Sequence, residues 1–518
     1  MLRSASLLAL CVLAAVPARA ETLVDAIVDA YRTNPQLQAQ RAELRALDES
    51  VIQAGAPYRL GADVSATLGY SDRLQRSAIA DGFARFEQRS MGASVSLTQL
   101  LSSGGRTAAQ VSAAEADVLA GRERLRNAEN QILYTVVEAY MAVRRDEELV
   151  DIQGRAVASY DRQVAQTRAR EREGDLTRTD IAQAEAQLLI IRAALAQTQA
   201  SLEQSRSRFA AAVGRNPGHL EMPPTLAGLP PSVDAAYLRA GRESPILWQA
   251  IMIERSSRHR IAAERAERNP SISAQGNFGY VNPLGYQVRD LGRTVSGGIT
   301  VTVPILTRGV VGSRVRAAIA DQQSAAFQVE DARRTVDAGV LNAWNQSVTA
   351  HRQIDAGEAA VAAARTALDG VRRAFAEGFR SSFELIDSEQ RLLNAQVIVA
   401  NARYGGYTGE ASLLALLGRL DLASLLPDAP RYDPTAGLRT HRAWQFGPFE
   451  PLLEVLDRPQ MPSDHARPAP AIAAPGGHAS LAPSQSGASA SDLARGLPLG
   501  THAGSGATVS TDIKGRRP

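Results

Sequence analysis

Two short stretches of the chain alternate apolar and polar residues with period two. In the first, Met91, Ala93, Val95 and Leu97 interleave with Gly92, Ser94, Ser96 and Thr98; in the second, Ile299, Val301, Val303 and Ile305 interleave with Thr300 and Thr302. A third, SISAQGNFGY (271–280), alternates more loosely. Such alternation over about nine residues is the pattern of a half-buried strand. One hairpin is therefore expected in each half, four strands in all. At this point a hairpin packed on a soluble core fits the pattern equally well.

Elsewhere the period is helical. Proline is absent between Pro57 and Pro217 and again between Pro304 and Pro427. Arg106 to Glu173 is rich in Ala, Arg, Glu and Gln, all strong helix formers, and as one helix would be about 100 Å long. Past Gly174, residues such as Ile181, Ala184, Leu188, Ile191 and Leu195 recur at spacings of three and four, and Leu385, Ser388, Leu392, Ala395 and Val399 repeat the seam later. Such a seam packs as a coiled coil, and its small residues allow close helix approach. Gly174 and Gly378 stand where each long helix pair is expected to turn back.

These elements recur because the chain is duplicated. Residues 94–213 match 298–417 at a constant offset of 204: SVSLTQLLSSGGRTAAQ overlays GITVTVPILTRGVVGSR, and REGDLTRTDIAQAEAQL overlays AEGFRSSFELIDSEQRL. Upstream, TLVDAIVDAYRTNPQL (22–37) matches SVDAAYLRAGRESPIL (232–247) at offset 210. The six extra residues lie between Tyr70 and Ser94, and are expected in a surface loop. A period near 200 is far longer than a solenoid repeat and means one duplicated unit. The expected organisation is a signal peptide at 1–20, a first repeat at 21–231, a second at 232–427, and a disordered tail rich in Pro, Ala, Ser and Gly at 428–518.

The N-terminus sets the compartment. MLRSASLLALCVLAAVPARA carries Arg3, an apolar stretch and an Ala18-Arg19-Ala20 cleavage pattern, the form of a secretory signal. The only cysteine, Cys11, lies inside it, so a chain starting at Glu21 has no disulfide and no thiol chemistry. No run of 18 apolar residues follows that could make a transmembrane helix. With 57 basic and 54 acidic residues interspersed, the charge does not form a nucleic-acid stripe. The seven histidines are scattered without metal or triad spacing, and Gly104-Gly105 lacks the GxGxxG and Walker patterns, so neither cofactor, metal nor catalytic site is expected.

In its order of signal peptide, hairpin and long helix pair, twice over, the chain resembles the TolC family of outer-membrane channel proteins across roughly residues 21–427. The resemblance is carried by TNPQLQAQRAEL (33–44), the strand exits TQLLSSGG (98–105) and TVPILTRG (302–309), and EGFRSSFELIDSEQRLLNAQ (377–396) followed by ANARYGGY (400–407). Leu100 departs from a family proline that the second copy keeps as Pro304. The resemblance implies an α+β membrane protein, a homotrimer whose twelve strands close a β-barrel continued by a periplasmic α-helical barrel. Its implied role is a passive exit duct, with a periplasmic adaptor and an inner-membrane ABC or proton-driven pump as partners. Val95, Leu97, Ile299, Val301 and Val303 would face lipid, and Ser96, Thr300 and Thr302 the pore.

The family's acidic entrance ring maps onto Glu384 and Asp387, whose i, i+3 spacing puts both carboxylates on one helix face. Its closed-state lock maps onto Arg380 with Thr179 and Asp180, while a tyrosine that assists it is replaced by Phe375. Gln183 stands where the second copy has Asp387, so only that copy carries the double acid. Two rival classes remain in view, a soluble periplasmic coiled-coil or adaptor protein and an exported enzyme.

Overall fold

Local chemistry sets the helix starts. Thr22 and Asp25 form a capping box ahead of α1 (Leu23–Thr33), and Asn34 accepts from the Gln36 and Leu37 N–H groups to open α2 (Pro35–Gly55), with Pro35 in the first turn where its missing N–H costs nothing. A short 3₁₀ turn leads into β1 (Gly61–Arg76) and β2 (Phe83–Ser102). Gly104 and Gly105, both at positive φ, then release the chain into α3 (Arg106–Arg172). The first repeat ends with α4 (Arg178–Val213). The second repeats the order as α5 (Val233–Glu243), α6 (Pro245–Ala266), β3 (Ser271–Asn282), β4 (Gly292–Thr302), α7 (Val310–Ala376) and α8 (Ser382–Leu416). This computed structural model describes residues 21–76, 82–422, 431–437, 439 and 450–462. The expected signal peptide at 1–20 and the tail beyond 462 lie outside the described residues.

The four strands form one antiparallel sheet in the order β1-β2-β3-β4. The two hairpins pair through β2 and β3, leaving β1 and β4 as edges with no partner strand among the described residues. Below the sheet, α3 and α7 each run 67 residues, about 100 Å. Each is accompanied by two shorter helices: α2 and then α4 lie beside α3, and α6 and then α8 beside α7. The ends of α2 and α4 meet at an equator, where the Asn34 amide donates to the Ala212 carbonyl at 3.4 Å.

The largest core sits at this equator. Leu23, Ile27, Leu133, Val137, Tyr140 and Phe209 pack there with Leu414 and Leu420 from the second repeat. The Tyr140 hydroxyl lies 2.9 Å from the Glu21 carbonyl oxygen and 2.6 Å from that of Glu221, and burial pushes its pKa up to about 12. A second core joins the halves further from the sheet, where Ile386, Leu393 and Ala400 of α8 meet Ile152, Tyr160 and Val164 of α3. Helix α8 therefore has two buried seams, one facing α7 through Leu385, Ala395, Val399 and Ala402, and this one facing α3.

Three expectations need correction. The six extra residues of the first copy mostly lengthen strands: β1 continues six residues past Tyr70, whereas β3 stops two past Tyr280. A hairpin can grow outward in paired rungs without disturbing the register below, so insertion there costs no packing. Val303 is not in a strand, because β4 ends at Thr302, ahead of Pro304, which has no N–H for the ladder. Where the first copy has Leu100, β2 runs on to Ser102 with a bulge between Leu100 and Ser102.

The third correction concerns the chain beyond residue 428, which is not uniformly without structure. Glu450–Asp457 forms a helix, α9, fastened across the junction of β2 and α3. Asp457 is fully buried there, receiving the N–H groups of Ser103 (2.9 Å) and Gly105 (3.2 Å), the hydroxyl of Ser103 (2.6 Å) and that of Tyr58 (2.9 Å). Burial alone would raise its pKa, but the Ser103 hydroxyl and the Gly105 N–H outweigh that and hold the carboxyl below its ordinary value.

Candidate channel wall and periplasmic entrance

The sheet register sorts side chains onto two faces, since directly paired residues of antiparallel strands point the same way. Val95 pairs with Val64 on one side and Phe278 on the other, and Phe278 pairs with Val295. Leu97, Ile299 and Val301 fall on this same face, the last opposite Ile272. The opposite face carries Ser96 beside Asp63 and Asn277, Thr300 beside Ser273, and Thr302 beside Ser271. Four strands drawn from two repeats thus agree on one apolar and one polar face. On the apolar face Val64 is 80 % exposed, Ile299 69 % and Val301 58 %, a surface that water does not favour.

At the far end of the molecule the two helix pairs turn back through matching caps. Gly174 and Gly378 have φ of 89° and 84°, in the left-handed region. Asp175 N–H closes onto the Arg170 carbonyl at 3.0 Å, and Phe379 N–H onto that of Ala374 at 2.8 Å, the wrapped C-cap that a glycine permits. Asp180 and Glu384 then occupy the same position of the two returning helices, third from the start. Asp180 closes a capping box, accepting from the Thr177 hydroxyl at 2.7 Å and its N–H at 2.9 Å, which lowers its pKa. Glu384 is less committed: its N–H donates to the Ser381 hydroxyl, and its carboxylate pairs with Arg380 at 2.7 Å.

Asp387 pairs with Arg391 at 2.8 Å, one turn further along α8. Both acids remain close to half exposed, and their i, i+4 pairs hold them by only about 0.3–0.5 kcal/mol each. Within one chain Arg380 reaches Glu384 and is not brought to Thr179 or Asp180; Thr179 is exposed in the first turn of α4.

The contacts that do join the helix pairs at this end come, apart from Phe375, from residues the sequence did not single out. Arg170 donates to the carbonyls of Phe375 (2.8 Å) and Ala376 (3.0 Å), the last acceptors of α7, and its guanidinium stands 5.0 Å over the Phe375 ring. Phe375, where a hydroxyl was missed, is thus buried under an arginine. One turn back, Arg372 and the Ser159 hydroxyl both donate to Glu389, at 2.9 Å and 2.8 Å. A cavity of about 470 Å³ lies between these groups, with the buried Gln163 in its wall. Backbone carbonyls as partners leave no mark in sequence, but the excess of arginine in the last turn of α3 was a readable sign.

A two-faced sheet at the head of paired 100 Å helices, with charged turns at the foot, defines an outer-membrane channel protomer. The sequence profile of the family described as Outer membrane efflux protein matches twice, at residues 26–215 and 237–419, once per repeat. The chain belongs to that family. It is similar to the outer membrane efflux protein BepC of Brucella suis, with 28 % identity over 448 residues that cover 86 % of this chain and 96 % of the relative. It is likewise similar to the outer membrane protein TolC of Escherichia coli, 24 % identical over 433 residues covering 79 % and 84 % of the two chains. Among solved structures, the Campylobacter jejuni CmeC outer membrane channel superposes with a TM-score of 0.70 at 14 % identity, covering 82 % of this chain and 89 % of that one. The protein is an outer-membrane exit duct, a passive conduit and not an enzyme.

Proposed function

We propose that three copies of this chain close a twelve-stranded barrel whose apolar face meets lipid and whose polar face lines the pore. The helices continue the duct to a periplasmic entrance ringed by Glu384 and Asp387. The single observation that carries this reading is the sheet. Its two edges have no partner strand among the described residues, its apolar face is exposed, and an open sheet edge is not tolerated in a bilayer. Four strands are too few to close alone, and twelve suffice. A periplasmic adaptor and an inner-membrane pump, of the ABC or proton-driven kind, would dock at the helical end. Conduction in this reading needs no chemistry, only a bore and a gate. The soluble coiled-coil alternative leaves the apolar sheet face uncovered, which disfavours it. Native mass measurement in detergent is expected to give three chains per particle; a stable folded monomer sinks the reading.

The gate reading makes Arg380 a closing contact between the two kinds of helix pair, reaching Thr179 and Asp180 when the entrance is shut. Arg380→Ser is then expected to raise single-channel conductance in planar bilayers at least twofold. If Arg380 serves only its local pair with Glu384, conductance stays at the parental level, because such a pair contributes a few tenths of a kcal/mol, about 0.3–0.5.

A further inference from the structure

Helix α9 is built inside out for a helix in water. Its inward residues are Glu450, Leu453 and Asp457, two of them acids, while Leu452, Val455 and Leu456 point outward and are 58 %, 66 % and 54 % exposed. Every acid on it is engaged: Glu450 pairs with Arg59 at 2.9 Å, Glu454 with Arg458 at 3.0 Å, and Asp457 with the β2–α3 junction. The charge left at the surface is the Glu454–Arg458 pair at the helix end, where Arg458 is 57 % exposed; the outward stripe itself carries none. The rest of the arm continues across the protomer, with Met461 packed against Ala109 of α3 and Ala262 and Ala263 of α6.

The side of the wall on which this helix lies follows from the bulge in β2. By skipping Leu101, the register pairs Ser102 with Ile272, and Ile272 pairs with Val301, so Ser102 shares the apolar face. The Ser102 hydroxyl lies 3.0 Å from the Asp457 carboxylate. Helix α9 therefore sits on the outer side of the wall, at the foot of the apolar strand surface, and adds its own apolar stripe to it.

We propose that α9 is an interfacial anchor, lying flat at the periplasmic rim of the barrel with Leu452, Val455 and Leu456 sunk among the inner-leaflet lipids of the outer membrane. The proposal rests on the lipid-facing reading of the strand face given above. Lipid is the occupant that the geometry favours, because the stripe continues a surface of the same chemistry and the inward turn of Glu450 and Asp457 leaves only the Glu454–Arg458 pair, at the helix end, to be kept in water or headgroups. The helix crosses from the end of α2 over α3 towards α6, the middle of the protomer's face and not an edge that another copy would cover.

Nitroxide labels test this on the assembled protein. The chain from Glu21 onward has no cysteine, so single sites can be introduced at Leu456→Cys, at Ile299→Cys on the strand face, and at Asp175→Cys on the far helix turn. Each is labelled in the exported protein and reconstituted into phosphatidylcholine vesicles, and collisions with oxygen and with a water-soluble nickel chelate are measured. The label at 456 is expected to collide with nickel at least threefold less than the one at 175 and with oxygen about as readily as, or somewhat less than, the one at 299. Nickel access at 456 equal to that at 175 overturns the anchor while a lipid-like signal at 299 leaves the barrel reading standing. Shielding of 456 from both reagents overturns it too, since protein, either a second copy or the chain beyond 462, would then cover the stripe. Water-like signals at both 299 and 456 would bring down the strand reading itself.

Discussion

Arginine in place of Ile299 is expected to remove most of the channel from the outer membrane, and arginine in place of Thr300 to leave it there. The two residues are neighbours on β4 and differ only in the face they share, Ile299 with Ala274 and Thr300 with Ser273. Strand β4 has 11 residues, the length that crosses a bilayer at barrel tilt, and Ile299 lies two residues past its midpoint at Gly297, still within its inner half. A charge facing lipid at that depth costs about 2–4 kcal/mol per chain, and three chains share the barrel, so the trimer loses on the order of 10 kcal/mol. Val301 is a poorer site for the same test, because one residue from the end of β4 the penalty falls towards zero. The amount of trimer in isolated outer membranes should fall at least tenfold for Ile299→Arg and stay within twofold for Thr300→Arg. An Ile299→Ala control separates loss of the side chain from gain of the charge. Equal tolerance at 299 and 300 would mean that the faces are assigned the wrong way or that the sheet is not in lipid.

Replacing both Glu384 and Asp387 with alanine is expected to do more than abolish cation preference. Each acid is paired with an arginine four residues away, Glu384 with Arg380 in the turn ahead of α8 and Asp387 with Arg391 along the helix. Removing two negative charges per chain, six in the trimer, therefore leaves six arginines flanking the former ring, Arg380 one turn before Glu384 and Arg391 one turn beyond Asp387. The potential that concentrated cations should reverse sign, and the permeability ratio should shift on the order of tenfold towards anions. Reversal potentials in a potassium chloride gradient read this directly. An unchanged reversal potential would place the selective ring elsewhere on the duct, while a shift to mere neutrality would show that the arginines turn away once their partners are gone.

Much of this architecture was written in local pattern. Period-two alternation marked the sheet, proline-free runs marked α3 and α7, and paired glycines marked both far turns, because each of these is decided by a few adjacent residues. What could not be read depends on contacts across the chain. The bulge that turns Ser102 outward is a matter of register between β2 and β3, residues some 170 positions apart. The second seam of α8, through Ile386, Leu393 and Ala400, overlaps the first in sequence, and a single-seam reading absorbs those residues as flanking positions. Helix α9 was lost because eight residues disappear in a long window of Pro, Ala, Ser and Gly. The entrance acids were placed by resemblance and not by pattern, since two carboxylates one turn apart are common on any solvated helix.

The unequal hairpins shape the mouth of the duct. Beyond the level of Tyr70 and Tyr280, β1 rises four residues further than β3, about 13 Å of extra wall before tilt is counted. The raised part is charged, with Asp72 and Arg85 paired across it. Three chains around one axis would make a battlement of three tall, charged posts and three low gaps over β3 and β4. Anything arriving at the mouth from outside would touch those posts first.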